Sequence, residues 1–228
     1  MTIKYAPDTT GLVLVDPYND FLGEGGKVWP RLKDVAETVG TNKHLRELVQ
    51  AVRGAGIRMF IAPHRRWRSG DFEGWVRPAA PQRRMRNARV FELGTWGGEF
   101  APGLGPEDAD LVCTEHWAEN GFAQTDLDLL LRQHAVQHII LAGMTAPGCV
   151  EGTGRYAIEL GYTVTLIRDA TAAYTPELLD AAHEHTGPLW VSMSPSPAEI
   201  LSGARRRGGS ERRRAGVDCS GRPTKTPR

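Results

Sequence analysis

A chain of 228 residues with 40% apolar and 24% charged side chains has room for one α/β domain with a full core and too little for two. Its apolar runs are all far shorter than the roughly 20 residues that span a bilayer. The segment after Met1 has no signal-peptide character, and Cys113, Cys149 and Cys219 make neither a disulfide framework nor a paired zinc site, so a reducing cytoplasm is expected. The net charge of +1 conceals a split: residues 203–228 hold nine Lys or Arg against two Asp or Glu, and the rest of the chain carries −6.

In chain order, Leu12-Val13-Leu14-Val15 reads as a short buried strand stopped at Asp16-Pro17. From Lys33 to Arg53, Val35, Val39, Leu45, Leu48, Val49 and Val52 recur at helical spacing, and Gly54 and Gly56 close the helix. Ile57 to Ala62 is a second strand. Residues 65–106 are irregular and rich in Gly, Pro, Arg and Trp, long enough for a functional loop or small elements of its own. Asp110 to Thr114 is a third strand, and Thr125 to His134 a helix capped by Thr125. His138 to Ala142 is a fourth strand, followed after a Gly- and Pro-containing turn by a helix from Val150 to Leu160 that ends at Gly161. Tyr162 to Ile167 is a fifth strand. Pro176 to His185 is a helix with Thr175 as cap and proline in its first turn, and Leu189 to Met193 is a sixth strand.

Strands alternating with helices predict a three-layer, Rossmann-like α/β fold, a six-stranded parallel sheet with helices on both faces, taken in the order 3-2-1-4-5-6 of doubly wound sheets. Residues 1–202 form this domain. Residues 203–228, with two arginine triplets and no apolar periodicity, form a basic tail expected to be disordered. The tail has no aromatic residue for base stacking, so nucleic acid is not an expected partner.

In that strand order the first and fourth strands are neighbours at the point where the order reverses, which is where such sheets bind ligands. Asp16 ends the first strand, and Cys149 lies just past the fourth, where a helix begins. A cysteine in a core is commonly a small hydrophobe. At a helix N-terminus, however, free N–H groups and the helix dipole favour the thiolate and offer donors to an oxyanion.

At these residues the chain resembles the isochorismatase-like cysteine hydrolases. The likeness covers about residues 10–195. It rests on Val15-Asp16-Pro17-Tyr18-Asn19-Asp20-Phe21, on Gly121-Phe122-Ala123-Gln124-Thr125-Asp126-Leu127, and on Gly143-Met144-Thr145-Ala146-Pro147-Gly148-Cys149-Val150-Glu151-Gly152-Thr153, with Glu159 to Tyr162 and Asp169 to Ala173 also matching. The resemblance implies an Asp-Lys-Cys triad, with Cys149 as nucleophile and Asp16 as its base. It also implies a cis peptide at Met144-Thr145, an oxyanion site at the Thr145 and Cys149 N–H groups, and Phe21 in the pocket.

The chain departs from that pattern at the lysine. The matching stretch is Thr114-Glu115-His116-Trp117, so His116 stands six residues before Phe122, where the lysine is expected. His116 as triad member, Glu115 in a polar role, and Lys27 reaching in from the loop after the first strand are three candidates. The Asp-x-His that holds a metal in nicotinamidase-like relatives is here Ala62-Pro63-His64, so neither a catalytic metal nor another cofactor is expected. Trp67, Trp75, Trp96 and Trp117 fall near the predicted mouth. Trp96, Trp117 and Met144 join Phe21 as candidate substrate contacts.

The implied activity is hydrolysis of a C–N amide bond of a small molecule through a thioester, in a homo-oligomeric enzyme without membrane contact. Two alternatives are a catalytically silent scaffold, which the missing lysine suggests, and a vinyl ether hydrolase, which would need no thiol. A dinucleotide-binding domain is disfavoured, because Gly23-Glu24-Gly25-Gly26 is a displaced and incomplete glycine motif.

Overall fold

The computed structural model describes residues 5–191. The strands are β1 (Thr10–Val15), β2 (Arg58–Ala62), β3 (Leu111–Val112), β4 (His138–Met144) and β5 (Thr163–Ala172). The helices are α1 (Asn19–Leu22), α2 (Trp29–Val39), α3 (Thr41–Gly54), α4 (Ala80–Ala88), α5 (Leu127–Gln133), α6 (Glu151–Glu159) and α7 (Pro176–Asp180). The sheet is parallel, in the order β3-β2-β1-β4-β5. This matches the expected order for every strand described. The expected sixth strand is not formed where it can be seen: Gly187–Leu189 is a 3-10 turn, and residues 192 and 193 lie outside the described residues, as does the basic tail.

Alternation along the strands sorts side chains to the two faces. Leu12, Leu14, Met59, Ile61, Ile140 and Ala142 pack with α2 and α3, whereas Val13, Val15, Phe60, Ile139 and Leu141 pack with α5 and α6. Both faces are covered, as a wholly parallel sheet requires. No helix among the described residues is long and apolar enough to cross a membrane.

The single helix expected over 33–53 is two. Gly40 takes a left-handed conformation (φ 75°) that closes α2 and opens α3, and the apolar spacing on either side of it disguised the break. Thr175 does cap α7, its side chain accepting from the Leu178 N–H. At α5 the capping position is Asp126 rather than Thr125.

Register places the site. Val15 pairs with Ala62 on one side and Gly143 on the other, so the residues that follow all three emerge together at the carboxyl edge of the sheet. Gly143 (φ 119°) is required there, since a Cβ would lie 2.1 Å from the Val15 carbonyl oxygen. Asp16 itself is left-handed (φ 51°), a conformation Asp tolerates better than most side chains. Its N–H still donates to the Ala62 carbonyl, while Pro17 ends the ladder.

Candidate active site

Asp16, His116 and Cys149 meet at this edge. The His116 Nε2 lies 3.0 Å from Asp16 Oδ1, and both side chains are fully buried. One carboxylate oxygen of Asp16, one ring nitrogen of His116 and the Cys149 sulfur all lie within 4.8 Å of one another. The histidine standing where a lysine was expected therefore makes the expected contact with the aspartate. Its backbone is fixed by its own N–H to the Pro63 carbonyl (2.9 Å) and by the Arg65 N–H to the His116 carbonyl (2.7 Å).

Cys149 lies within the turn Ala146–Val150, just before α6. The Met144–Thr145 peptide bond that leads into this turn is cis, as the resemblance implied. Gly152, one turn on, is needed because a Cβ would sit 2.0 Å from the Glu119 carbonyl oxygen. The thiolate expected from position alone is not the resting state. Burial pushes the thiol well above its ordinary value, and the Asp16 carboxylate and Glu119 push it further. The sulfur has the Ala118 carbonyl at 3.6 Å as a weak acceptor.

Cys149 and Thr145 open into a pocket of about 410 Å³. Its walls come from Phe21 and Val28, from Tyr174, and from one face of α4 carrying Pro81, Arg84, Met85 and Ala88. These four recur at i, i+3, i+4 and i+7, a helical stripe that was present in the irregular 65–106 segment and was overlooked because the stretch is short and arginine-rich. Gln82 ties α4 to the site, donating from Nε2 to the Trp117 carbonyl (3.2 Å). Asp20, in the first matching motif, closes the other side: its carboxylate accepts from the Lys27 and Phe91 N–H groups.

Arg31 also lines the pocket, its guanidinium 4.3 Å from the Tyr174 ring centre. Arg31, Arg84, Glu119 and Tyr174 escaped the sequence reading, since no motif marks them.

Several expected contacts are corrected. Met144 is fully buried in the α2–α3 face of the core, because strand alternation turns it away from the cysteine side. Trp117 packs on Phe72 and Trp75, with Arg65 over its ring, and Trp96 is half-exposed on a turn above Gly23. Neither lines the pocket, whose aromatic side chains are Phe21, Phe91 and Tyr174. Glu115 is bound by Arg65, Arg66 and Arg68. Burial pushes its carboxyl up, but the Arg68 and Arg66 guanidiniums outweigh this and hold it below the usual range. It braces the loop beside His116 and leaves no role at the substrate. The Lys27 ammonium is held by the Arg89 carbonyl and Glu92, at the pocket wall.

His64 is buried beside the pocket, with its ring centre 4.8 Å from that of His116 and its Nδ1 on the Arg65 carbonyl. Burial, helped by His116, lowers its pKa from 6.5 to about 4, and burial does the same for His183. The unfolded chain protonates both imidazoles as pH falls through 6.5, while the folded chain resists until about 4. Stability is therefore full above pH 6.5 and falls between there and pH 4, by about 3 kcal/mol per histidine. Urea unfolding at neutral and mildly acidic pH checks this, with a shallower decline expected in His183→Gln. A flat profile would be incompatible with it.

Residues 10–193 match the isochorismatase domain model, and the chain belongs to the isochorismatase family, among the isochorismatase-like cysteine hydrolases. Among its curated relatives is the ureidoacrylate amidohydrolase RutB of Enterobacter sp. (strain 638), 30% identical over 192 residues, covering 79% of this chain and 82% of the relative. The RutB of Pantoea ananatis (strain LMG 20103) is 29% identical over 191 residues, covering 79% of this chain and 76% of the relative. Among solved structures, N-carbamoylsarcosine amidase from Thermoplasma acidophilum is 26% identical with a TM-score of 0.62, covering 82% of this chain and 95% of that one. A cysteine hydrolase from Pseudomonas syringae pv. phaseolicola 1448A shares the fold, with a TM-score of 0.72 at 22% identity over 90% of this chain and 95% of that one.

Proposed function

We propose that this protein is a cysteine-dependent amidohydrolase that cleaves the C–N bond of a small amide or ureido compound bearing a carboxylate. The observation that carries the reading is the convergence of Asp16, His116 and Cys149 where the sulfur opens into the pocket.

The chemistry needs a proton acceptor for a thiol that is not ionised at rest. Asp16 takes the Cys149 proton as the sulfur attacks the substrate carbonyl carbon. The Thr145 and Cys149 N–H groups hold the tetrahedral oxyanion. Asp16, now a carboxylic acid, gives its proton to the leaving nitrogen, and the amine or ammonia departs from a thioester. Water, losing its proton to Asp16, attacks the thioester carbonyl, and the proton returns to the sulfur as the acid leaves. His116 Nε2–H, donating to Oδ1, keeps the carboxylate aimed throughout.

The substrate class follows from the pocket. Arg31 and Arg84 are among its lining residues, which suits a carboxylate. The substrates in the names of two relatives, ureidoacrylate and N-carbamoylsarcosine, both combine a carbamoyl nitrogen with a carboxylate. Turnover of ureido acids alongside uncharged amides of the same size tests this. Arg84→Ala is expected to raise KM for the ureido acid by about 10- to 100-fold, the worth of a charge-assisted hydrogen bond, and to leave the uncharged amide unchanged. Equal losses on both would remove the carboxylate from the proposal.

A further inference from the structure

Exchanging lysine for histidine changes what the triad can hold. A lysine ammonium has no lone pair to give, whereas an imidazole has one. With His116 in place, the buried cluster presents a carboxylate oxygen, an imidazole nitrogen and a sulfur, three donors suited to a borderline-soft cation. We propose that Asp16, His116 and Cys149 form a binding site for a divalent cation of the zinc class, and that its occupancy masks the thiol.

Two features beyond proximity support this. Asp16 Oδ2 is buried without a hydrogen-bond partner, so the carboxylate keeps an uncommitted oxygen. His116 meets the cluster through Nε2, and it ligates there once its proton moves to Nδ1, which has no partner to lose. The ionised set, one carboxylate and one thiolate beside a neutral imidazole, carries two negative charges, which a divalent cation cancels where burial otherwise opposes them.

The geometry is close to what is needed. Donors at about 2.0–2.3 Å from a tetrahedral zinc lie roughly 3.5 Å apart. The Asp16–His116 pair, at 3.0 Å, has to open by about 0.5 Å, and the remaining separations, all within 4.8 Å, close by about 1 Å at most to complete the tripod. Water or a substrate oxygen would complete the fourth position, Cys149 being the ligand that opens into the pocket. Binding is a ligand exchange without redox change: a metal–sulfur bond forms, and the thiol proton leaves to solvent. The donor set excludes magnesium and calcium as good fits, since both demand oxygen ligands.

The test reads the metal directly and needs no substrate, so it stands apart from the fate of the amidase reading. Cobalt(II) added to the full chain is expected to give a near-ultraviolet thiolate-to-cobalt band and tetrahedral visible bands that saturate at a single equivalent. The thiolate band should vanish in Cys149→Ser, and the tetrahedral spectrum in His116→Lys. Because a substituted core may not fold, the wild type carries a second measurement. Stoichiometric zinc should slow iodoacetamide labelling of Cys149 by about ten-fold or more, with full recovery in EDTA. Absence of the cobalt–thiolate band in wild type, its persistence in Cys149→Ser, or labelling indifferent to zinc below millimolar concentration would overturn the proposal.

Discussion

Cys149→Ala is expected to lower turnover of the best amide substrate by about 10⁴-fold or more, the scale on which loss of a nucleophile acts in a unit of cooperating residues. The reason is structural. Cys149 is the sole thiol at the pocket, since the other described cysteine, Cys113, is buried in the α5–α6 face of the core with its pKa pushed up to about 12 by burial and Asp126. Among the described residues, no second thiol stands where Asp16 can deprotonate it. Cys149→Ser should be nearly as inactive, because Asp16 is a weak base for a hydroxyl. Trapping supplies the positive evidence: wild-type protein mixed briefly with substrate should carry the acyl group on the peptide containing Cys149, seen by mass spectrometry. Turnover in Cys149→Ala within ten-fold of wild type would dismiss the thioester route.

Asp16→Asn separates two effects that a thiolate at rest would join. Removal of the base should reduce turnover by about 10²- to 10⁴-fold. Yet the Asp16 carboxylate is among the causes that hold the Cys149 thiol up, second only to burial. Removing its charge should therefore move the midpoint of iodoacetamide labelling to lower pH, making the sulfur easier to alkylate while the enzyme is slower. In wild type that midpoint should lie above the ordinary thiol value of about 8.5. A labelling midpoint that rises in Asp16→Asn would mean that the carboxylate stabilises a resting thiolate, and the proton-transfer order proposed above would have to be reversed.

The strands were legible because buried parallel strands are short apolar runs, whereas their order was taken from a common doubly wound arrangement, since alternation alone does not fix it. Asp16 and Cys149 were legible because strand ends at the switch point are where side chains converge. His116 was found by counting from Phe122, and the geometry separates it from Glu115, whose three arginine partners lie 49, 47 and 50 positions away in the chain. What escaped was set by tertiary packing. Strand alternation, already in view, would have turned Met144 inward had it been followed one residue past Gly143. The tryptophans were assigned by nearness in sequence, which does not determine the side on which a loop displays them. The helix terminus that favours a Cys149 thiolate is a weak field, and burial and an adjacent carboxylate push the thiol the other way.

The helix α4 belongs to the long connection between β2 and β3 and takes no place in the sheet, yet it supplies one whole wall of the pocket. The reacting groups, by contrast, sit on strand ends and on the turn into α6. Catalysis and substrate choice thus ride on separate stretches of the chain. Grafting a different sequence into residues 79–91 is a route to a new preference among amides with the bond-breaking apparatus left in place.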